Sequence, residues 1–194
     1  MIYIFRTDGV FGQRELMRSY LKRFFDVAKK LSGIDTSLFH NCDNLSWIVL
    51  INEESSEKKL GISNLGDWII ETPTNFFVLD NEKSFFYAIS MLEMPIELVK
   101  QRINKRFLNI MKEFEAEDIF PFYEIVSYVF NYSISDYWFN LAFQWFEKFD
   151  NVQKSRLVKV LEKLASNTKF SQKSRHMIKK ELSLIKSVKN AVST

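Results

Sequence analysis

Apolar side chains recur every three or four positions in residues 12–31, which predicts an amphipathic helix that stops near Gly33. The apolar positions on its expected face are Leu16, Tyr20, Phe24, Val27 and Leu31. Similar spacing predicts helices over 84–92, 95–114, 120–132, 136–149, 152–166 and 172–190. The expected N-caps of the last three helices are Ser135 or Asp136, Asp150 or Asn151, and Ser171.

Residues 44–80 break this pattern with short aliphatic and aromatic runs. The runs are SWIVLINEE, DWIIETP and NFFVLD, and Gly61, Gly66 and Pro73 lie between them. They allow two or three short strands, although periodicity alone does not separate strands from buried helical pieces. MIYIF at the start is a further candidate strand. The sequence thus predicts a mainly α fold, a multi-helix bundle or helical-hairpin stack. We expect one domain over 1–194, with an irregular N-terminal layer over about 1–94 and a helical part over about 95–194.

The most aromatic stretch is DYWFNLAFQWFEKF, residues 136–149. On a helix its polar residues occupy one arc of roughly 160°, and its apolar residues fill the rest. That apolar face is much wider than a surface helix needs, so we interpret it as a central core helix. The alternatives are a platform for stacked bases and a partly exposed protein-binding patch. The core interpretation predicts that Trp138→Ala or Trp145→Ala costs roughly 3–5 kcal/mol.

The composition is that of a globular protein, with 46% hydrophobic and 26% charged residues. A single cysteine, Cys42, excludes an intrachain disulfide and fits a reducing compartment. Arg6 and Asp8 interrupt the apolar start, so no signal peptide is expected. Apolar runs such as WIVLI are too short to cross a bilayer. We therefore expect a cytoplasmic protein without a membrane partner.

Charge is distributed unevenly along the chain. Residues 151–194 hold eleven Lys or Arg and two acids, a net charge of +9, whereas residues 1–150 carry −6. Basic rows on two neighbouring helices could contact phosphates along a nucleic-acid backbone. The alternative is a solvated face on an amphipathic hairpin. The nucleic-acid candidates are Arg156, Lys159, Lys163, Arg175, Lys179 and Lys186.

Acidic clusters in the first part of the chain suggest a different partner. A protein that blocks a basic nuclease would present carboxylates to its active-site cleft, and complementary charge would speed and select association. The alternative is ordinary solvating charge. The candidate residues are Glu53, Glu54, Glu57, Glu113, Glu115, Glu117 and Asp118.

Metal and catalytic motifs are poorly represented. His40 and Cys42, beside Asp43, offer suitable atoms, but a zinc site needs four ligands at recognisable spacing. The other histidine, His176, lies far along the chain. The sequence has no G-x-S-x-G, no Gly-rich phosphate loop and no H-E-x-x-H. We therefore predict no metal, no cofactor, no catalytic residue and no enzymatic activity.

The pattern WFEKF, V-x-K-x-x-L, LEKLA and FSQKSRHMIKKEL between Trp145 and Leu182 resembles the helical tail of small bacterial proteins. The chain as a whole is similar in character to immunity proteins of bacterial contact-dependent toxin systems. That resemblance implies a catalytically silent protein that binds one toxin domain and occludes its active site. Such proteins share no common motif, so no functional residue is carried over. The first hypothesis is accordingly a protein-binding immunity factor, and the alternative is a nucleic-acid-binding accessory protein that uses the basic C-terminal hairpin.

Overall fold

The computed structural model describes residues 10–31, 35–42, 44–53, 57–132 and 135–192. Helices account for most of this part, and a five-stranded antiparallel sheet lies in the N-terminal half. The fold is therefore mixed α and β but mainly α. The chain forms two compact units. Unit 1 is Met1–Tyr87 with Glu97–Pro121, and unit 2 is Ala88–Ile96 with Phe122–Thr194. The prediction of one domain over 1–194 stays a prediction, and the candidate strand MIYIF and the stop at Gly33 lie outside the described residues.

Unit 1 begins with α1 (Val10–Lys30), which confirms the first predicted helix. Its buried face is Leu21, Phe24, Phe25 and Ala28. The predicted face was wrong in detail, since Leu16 and Leu31 are exposed. Both sets of positions have helical spacing and lie about one residue apart around the helix. The choice between them comes from tertiary packing, because Phe25, which is not on the predicted face, is 2% exposed and meets Phe39 edge to face with ring centroids 6.0 Å apart.

The sheet of unit 1 runs in sequence order. After a short 3₁₀ helix (Thr36–Leu38), its strands are β1 (Phe39–Cys42), β2 (Leu45–Glu53), β3 (Lys58–Ser63), β4 (Trp68–Glu71) and β5 (Phe76–Val78). Every neighbouring pair is antiparallel. The three predicted runs became β2, β4 and β5. Strands β1 and β3 were not predicted, because FHNC and KKLGIS carry too few apolar residues for a clear strand signal.

A register shift interrupts β2 between Val49 and Ile51. Arg106 donates from Nη1 to the carbonyl oxygen of Leu50 at 3.0 Å, and a longer contact of 3.5 Å reaches Val49. Irregular pairing leaves strand carbonyls in need of donors. The guanidinium therefore supplies a partner at the bulge.

The middle of the chain is less regular than predicted. Residues Glu82–Glu93 form a 3₁₀ helix instead of an α-helix. The helix predicted over 95–114 ends early, as α2 (Ile96–Arg106), and turns continue to residue 113. The stretch between the helices predicted over 95–114 and 120–132 contains a short helix, α3 (Ala116–Ile119). Buried Phe107 and Phe114 both pack on Phe24 at 5.2 Å, and this packing accounts for the departure from a straight helix.

Unit 2 contains the other helices: α4 (Phe122–Tyr132), α5 (Asp136–Glu147), α6 (Asn151–Arg156), α7 (Val158–Ser166) and α8 (Gln172–Val192). The predicted helix over 152–166 is two helices that meet at Leu157. Ser135 caps α5, and Asp150 forms a capping box with Gln153 at the start of α6. Ser171 accepts from the backbone N–H of Ser174, as expected for the cap of α8. The predicted N-caps are therefore confirmed.

The core interpretation of the aromatic helix is confirmed for most of its rings. On α5 and just after it, Phe139, Ala142, Phe143, Trp145, Phe146 and Phe149 are buried. Trp145 also donates from its indole N–H to the carbonyl of Met94 at 2.9 Å. Tyr137 differs, because 55% of it is exposed, and Trp138 is only partly buried. The helix is the centre of unit 2, with its N-terminal aromatic pair at the surface.

Candidate functional site

The acidic candidates all belong to unit 1, and the structure separates them into two groups. Glu53 is buried at the end of β2, with 3% of it exposed. Glu57 is exposed in the turn before β3, where its φ of 54° is left-handed. Glu54 lies outside the described residues. The other four, Glu113, Glu115, Glu117 and Asp118, are exposed on the segment around α3.

Three carboxylates of the α3 segment contact side chains from neighbouring helices of unit 1. Glu113 pairs with Arg23 of α1 at 2.8 Å, and Glu117 pairs with Lys100 of α2 at 2.8 Å. The Tyr20 hydroxyl donates to Asp118 at 3.5 Å.

Burial raises the pKa of Tyr20 to about 12, and the nearby Asp118 charge adds to this effect. Burial and the neighbouring Glu117 raise the pKa of Asp118 above its usual range. Through these contacts, Glu113, Glu117 and Asp118 hold the segment around α3 against α1 and α2 of the same unit.

A shallow groove of about 720 Å³ lies beside this segment. Leu108, which lines it, is 71% exposed and is the most exposed large apolar residue in the described part of the chain. The lining residues are Glu97, Lys100, Gln101, Asn104, Lys105, Leu108 and Glu117. Acids and bases both contribute, so the groove has no single sign of charge.

The basic candidates all belong to unit 2, where α7 and α8 pack together. Among the side chains that the structure describes on these helices, the buried apolar ones are Leu161 and Leu164 of α7 and Ile178, Leu182 and Ile185 of α8. Lys159 and Lys163 are exposed on α7, and Lys179 and Lys186 are exposed on α8.

Both acids of residues 151–194 form ion pairs with lysines of the same segment, one between α7 and α8 and the other between α6 and α8. Glu162 pairs with Lys186 at 2.9 Å, and Glu181 pairs with Lys154 at 3.5 Å. Lys154 also lies over the Phe146 ring, 5.3 Å from its centroid. Lys159, Lys163 and Lys179 make no ion pair with any residue that the structure describes. These three lysines and Lys186 form a basic surface on α7 and α8, which we call the α7–α8 basic surface.

The two arginine candidates have different surroundings. Arg175 is partly buried at the start of α8, and its Nε is buried without a hydrogen-bond partner among the described residues. Arg156 is exposed at the end of α6 and acts electrostatically on Glu124 of α4. Burial raises the pKa of the Glu124 carboxyl to about 7, while the Arg156 charge partly opposes that shift. Arg156 therefore has a role inside the unit as well as at its surface.

The N-terminus of α8 is closed by a contact that sequence reasoning missed. The Asp136 carboxylate of α5 accepts from the backbone N–H of Ser171 at 3.1 Å and from the Ser174 hydroxyl at 3.0 Å. This contact joins residues 35 positions or more apart, so no local sequence pattern predicts it. Asp136 is the N-terminal residue of one helix and caps another, and it occupies the end of α8 that could otherwise attract a phosphate.

The remaining candidates for chemistry are His40 and Cys42 on β1 and His176, which is exposed on α8, while Asp43 lies outside the described residues. His40 packs on Trp47 with ring centroids 5.0 Å apart, and Cys42 is exposed. Within the described ranges, no three His, Cys, Asp or Glu side chains group closely enough to hold a metal ion. None of the helices described there has the length and apolarity needed to cross a membrane.

Glu124→Gln is expected to change how stability depends on pH. The folded state keeps the Glu124 proton up to about pH 7, whereas the unfolded chain loses it near the ordinary value of 4.5. The stability contributed by the neutral carboxyl is therefore present at low pH and is lost as pH rises from about 4.5 to about 7. Glutamine stays neutral, so the variant should be about 1–3 kcal/mol more stable than the wild type at pH 8. Urea denaturation at pH 5 and pH 8 measures this, and an equal loss of stability in both proteins contradicts it.

Comparison of the chain with protein-family models, curated proteins and solved structures finds no match.

Proposed function

We propose that this protein binds nucleic acid through its α7–α8 basic surface, by contacts to the phosphate backbone. The observation that carries the proposal is the charge balance of the hairpin. Its two acids are each paired with a lysine, and Lys159, Lys163 and Lys179 stay exposed without an ion-pair partner in the described residues. A lysine ammonium that meets a phosphate releases a counterion, and this release drives sequence-independent binding.

The charge of the two units supports the same choice. Unit 2 holds twelve basic and seven acidic residues, a net +5, and unit 1 holds fifteen basic and seventeen acidic residues, a net −2. Two of the acids in unit 2 add little to its outward field. Asp136 is engaged at the start of α8, and Glu124 is partly protonated near pH 7. A polyanion is therefore attracted to unit 2 before it makes contact.

The test of this function is a triple variant with a matched control. Lys159, Lys163 and Lys179 are replaced by glutamine, which removes three charges from the α7–α8 basic surface. The control replaces Lys30, Lys83 and Lys112, three exposed lysines of unit 1, and removes the same net charge. Fluorescence anisotropy with a labelled 20-base-pair DNA duplex at 50 mM KCl measures both. We expect at least a roughly ten-fold weaker affinity for the first variant and less than about three-fold for the control. Equal losses of affinity in the two variants would show that binding depends on the net charge of the protein and not on the α7–α8 basic surface.

A second candidate function is the neutralisation of a basic protein, such as a toxin domain, by the acidic segment around α3. What favours it is the exposure of the paired carboxylates, 56% for Glu113 and 48% for Glu117. Exposed ion pairs stabilise a protein by only about 0–1 kcal/mol, so a basic partner can replace the internal one. This candidate is a cytoplasmic immunity factor that acts by steric occlusion. Capture of one stoichiometric basic protein that is lost in a Glu113, Glu115 and Glu117→Gln variant supports it, and capture unaffected by these changes counts against the acidic segment.

A further inference from the structure

Aromatic side chains are nearly absent from the hairpin that carries the basic surface. Residues 151–194 contain one Phe, Tyr or Trp, which is Phe170, and only 4% of it is exposed. The most exposed aromatic rings of unit 2 are on other helices. Tyr132 of α4 stacks on Tyr128, and Tyr137 of α5 donates its hydroxyl to Glu93 at 2.9 Å. Proteins that bind single strands combine a basic groove with aromatic rings on which successive bases stack. The hairpin has the basic groups but no exposed Phe, Tyr or Trp ring.

The basic groups also lie on rigid elements at fixed separations. At 1.5 Å per residue, Lys159 and Lys163 are about 6 Å apart along α7, and Lys179 and Lys186 are about 10 Å apart along α8. A duplex presents one charge per roughly 1.7 Å of its axis, about twice the linear density of one strand in the same geometry. It is also stiff over this length, whereas a single strand loses conformational freedom when held along a straight helix. Binding of a fixed row of lysines to a duplex therefore releases more counterions, at a lower entropic cost, than binding to a single strand.

We infer that the ligand of the α7–α8 basic surface is double-stranded nucleic acid, held by its phosphate backbone without base stacking. This inference rests on the proposed function and specifies its ligand. The chemistry recognised is a pair of phosphate rows, which B-form DNA and A-form RNA both supply. Sequence has little influence on binding, because phosphates carry no direct sequence information.

The experiment compares three labelled probes at 50 mM KCl: a 20-base-pair DNA duplex, a 20-base-pair RNA duplex and a dT20 single strand. We expect at least one duplex to bind ten-fold or more tightly than dT20. A preference for the DNA duplex assigns B-form geometry, and a preference for the RNA duplex assigns A-form geometry. Binding of dT20 that equals or exceeds both duplexes overturns the inference and leaves nucleic-acid binding standing. No binding to any probe overturns the inference and the proposed function together.

The two triple variants test whether the preference for a duplex over dT20 depends on the α7–α8 basic surface or on the net charge of the protein. The Lys159, Lys163 and Lys179→Gln protein should lose the difference between duplex and dT20, while the Lys30, Lys83 and Lys112→Gln protein keeps it. A duplex preference that survives in the first variant overturns the assignment to the α7–α8 basic surface. Circular dichroism of each variant, matched to the wild type, verifies that the fold is intact before affinities are compared.

Discussion

Replacing Trp145 by alanine should lower the free energy of unfolding by about 3–5 kcal/mol. The indole is 2% exposed, and it packs edge to face on Phe122 with ring centroids 5.2 Å apart. Its N–H donates to the carbonyl of Met94 at 2.9 Å, so truncation removes a hydrogen bond as well as apolar contacts. The surrounding rings of α4 and α5 cannot fill the space without leaving their own contacts. Urea denaturation followed by far-ultraviolet circular dichroism measures the loss.

Three further variants separate the causes of this loss. Trp145→Phe keeps a ring and loses the hydrogen bond, so it should cost about 1–2 kcal/mol. Tyr137→Ala removes a ring that is 55% exposed on the same helix and should cost about 1 kcal/mol or less. The cost of Trp138→Ala should lie between those of Tyr137→Ala and Trp145→Ala. It should be below the roughly 3–5 kcal/mol expected from sequence, because that side chain is only partly buried. Near-native stability of Trp145→Ala would show that α5 is not the centre of unit 2.

Gly66→Ala is expected to destabilise the protein by about 3 kcal/mol or more. Gly66 lies in the turn between β3 and β4 with φ of 82°, a left-handed conformation that costs a residue with a side chain about 1–2 kcal/mol. A Cβ atom there would overlap the carbonyl oxygen of Arg18, so the turn or α1 must move. That movement also strains the ion pair between Arg18 and Asp67, now 3.0 Å long. Thermal or urea denaturation measures the change.

Leu65→Ala is the matched control for this prediction, since Leu65 is the preceding residue of the same turn and is 54% exposed. It should change the stability by about 0.5 kcal/mol or less. If Gly66→Ala and Leu65→Ala are equally mild, the turn does not pack closely on α1.

Local patterns predicted the elements whose signal is carried by consecutive residues. The aromatic helix is the best case, since its apolar arc required neighbours on several sides and most of its rings are buried. The caps at Ser135, Asp150 and Ser171 were predicted for the same reason, because cap and helix are adjacent in sequence. Strand β3 was missed because KKLGIS has two lysines and a glycine, and its place in the sheet is set by β2 and β4 on either side.

For the candidate site, the sequence predicted only the charge composition. The excess of basic residues after residue 150 is visible in the sequence, but the ion pairs that these residues form are not. Neither the contact between Glu162 and Lys186 nor that between Arg23 and Glu113 follows from spacing, since each joins separate helices or segments. Glu113 and Glu117 are paired inside unit 1, whereas three lysines of the α7–α8 basic surface have no ion-pair partner among the described residues. We therefore propose the basic surface, and not the acidic segment, as the first candidate for binding. Asp136 shows the same limit, because its partners are the cap residue and the first turn of a helix that begins 36 residues later.

The most direct test of the account is the salt dependence of duplex binding. Each lysine–phosphate contact contributes about −0.9 to the slope of log K against log of salt concentration. If Lys159, Lys163 and Lys179 each meet a phosphate, their replacement by glutamine should make the slope shallower by about 2–3, measured between 50 and 200 mM KCl. The control with Lys30, Lys83 and Lys112 replaced should keep the wild-type slope. An unchanged slope in the first variant would contradict the claim that this protein binds nucleic acid through the α7–α8 basic surface.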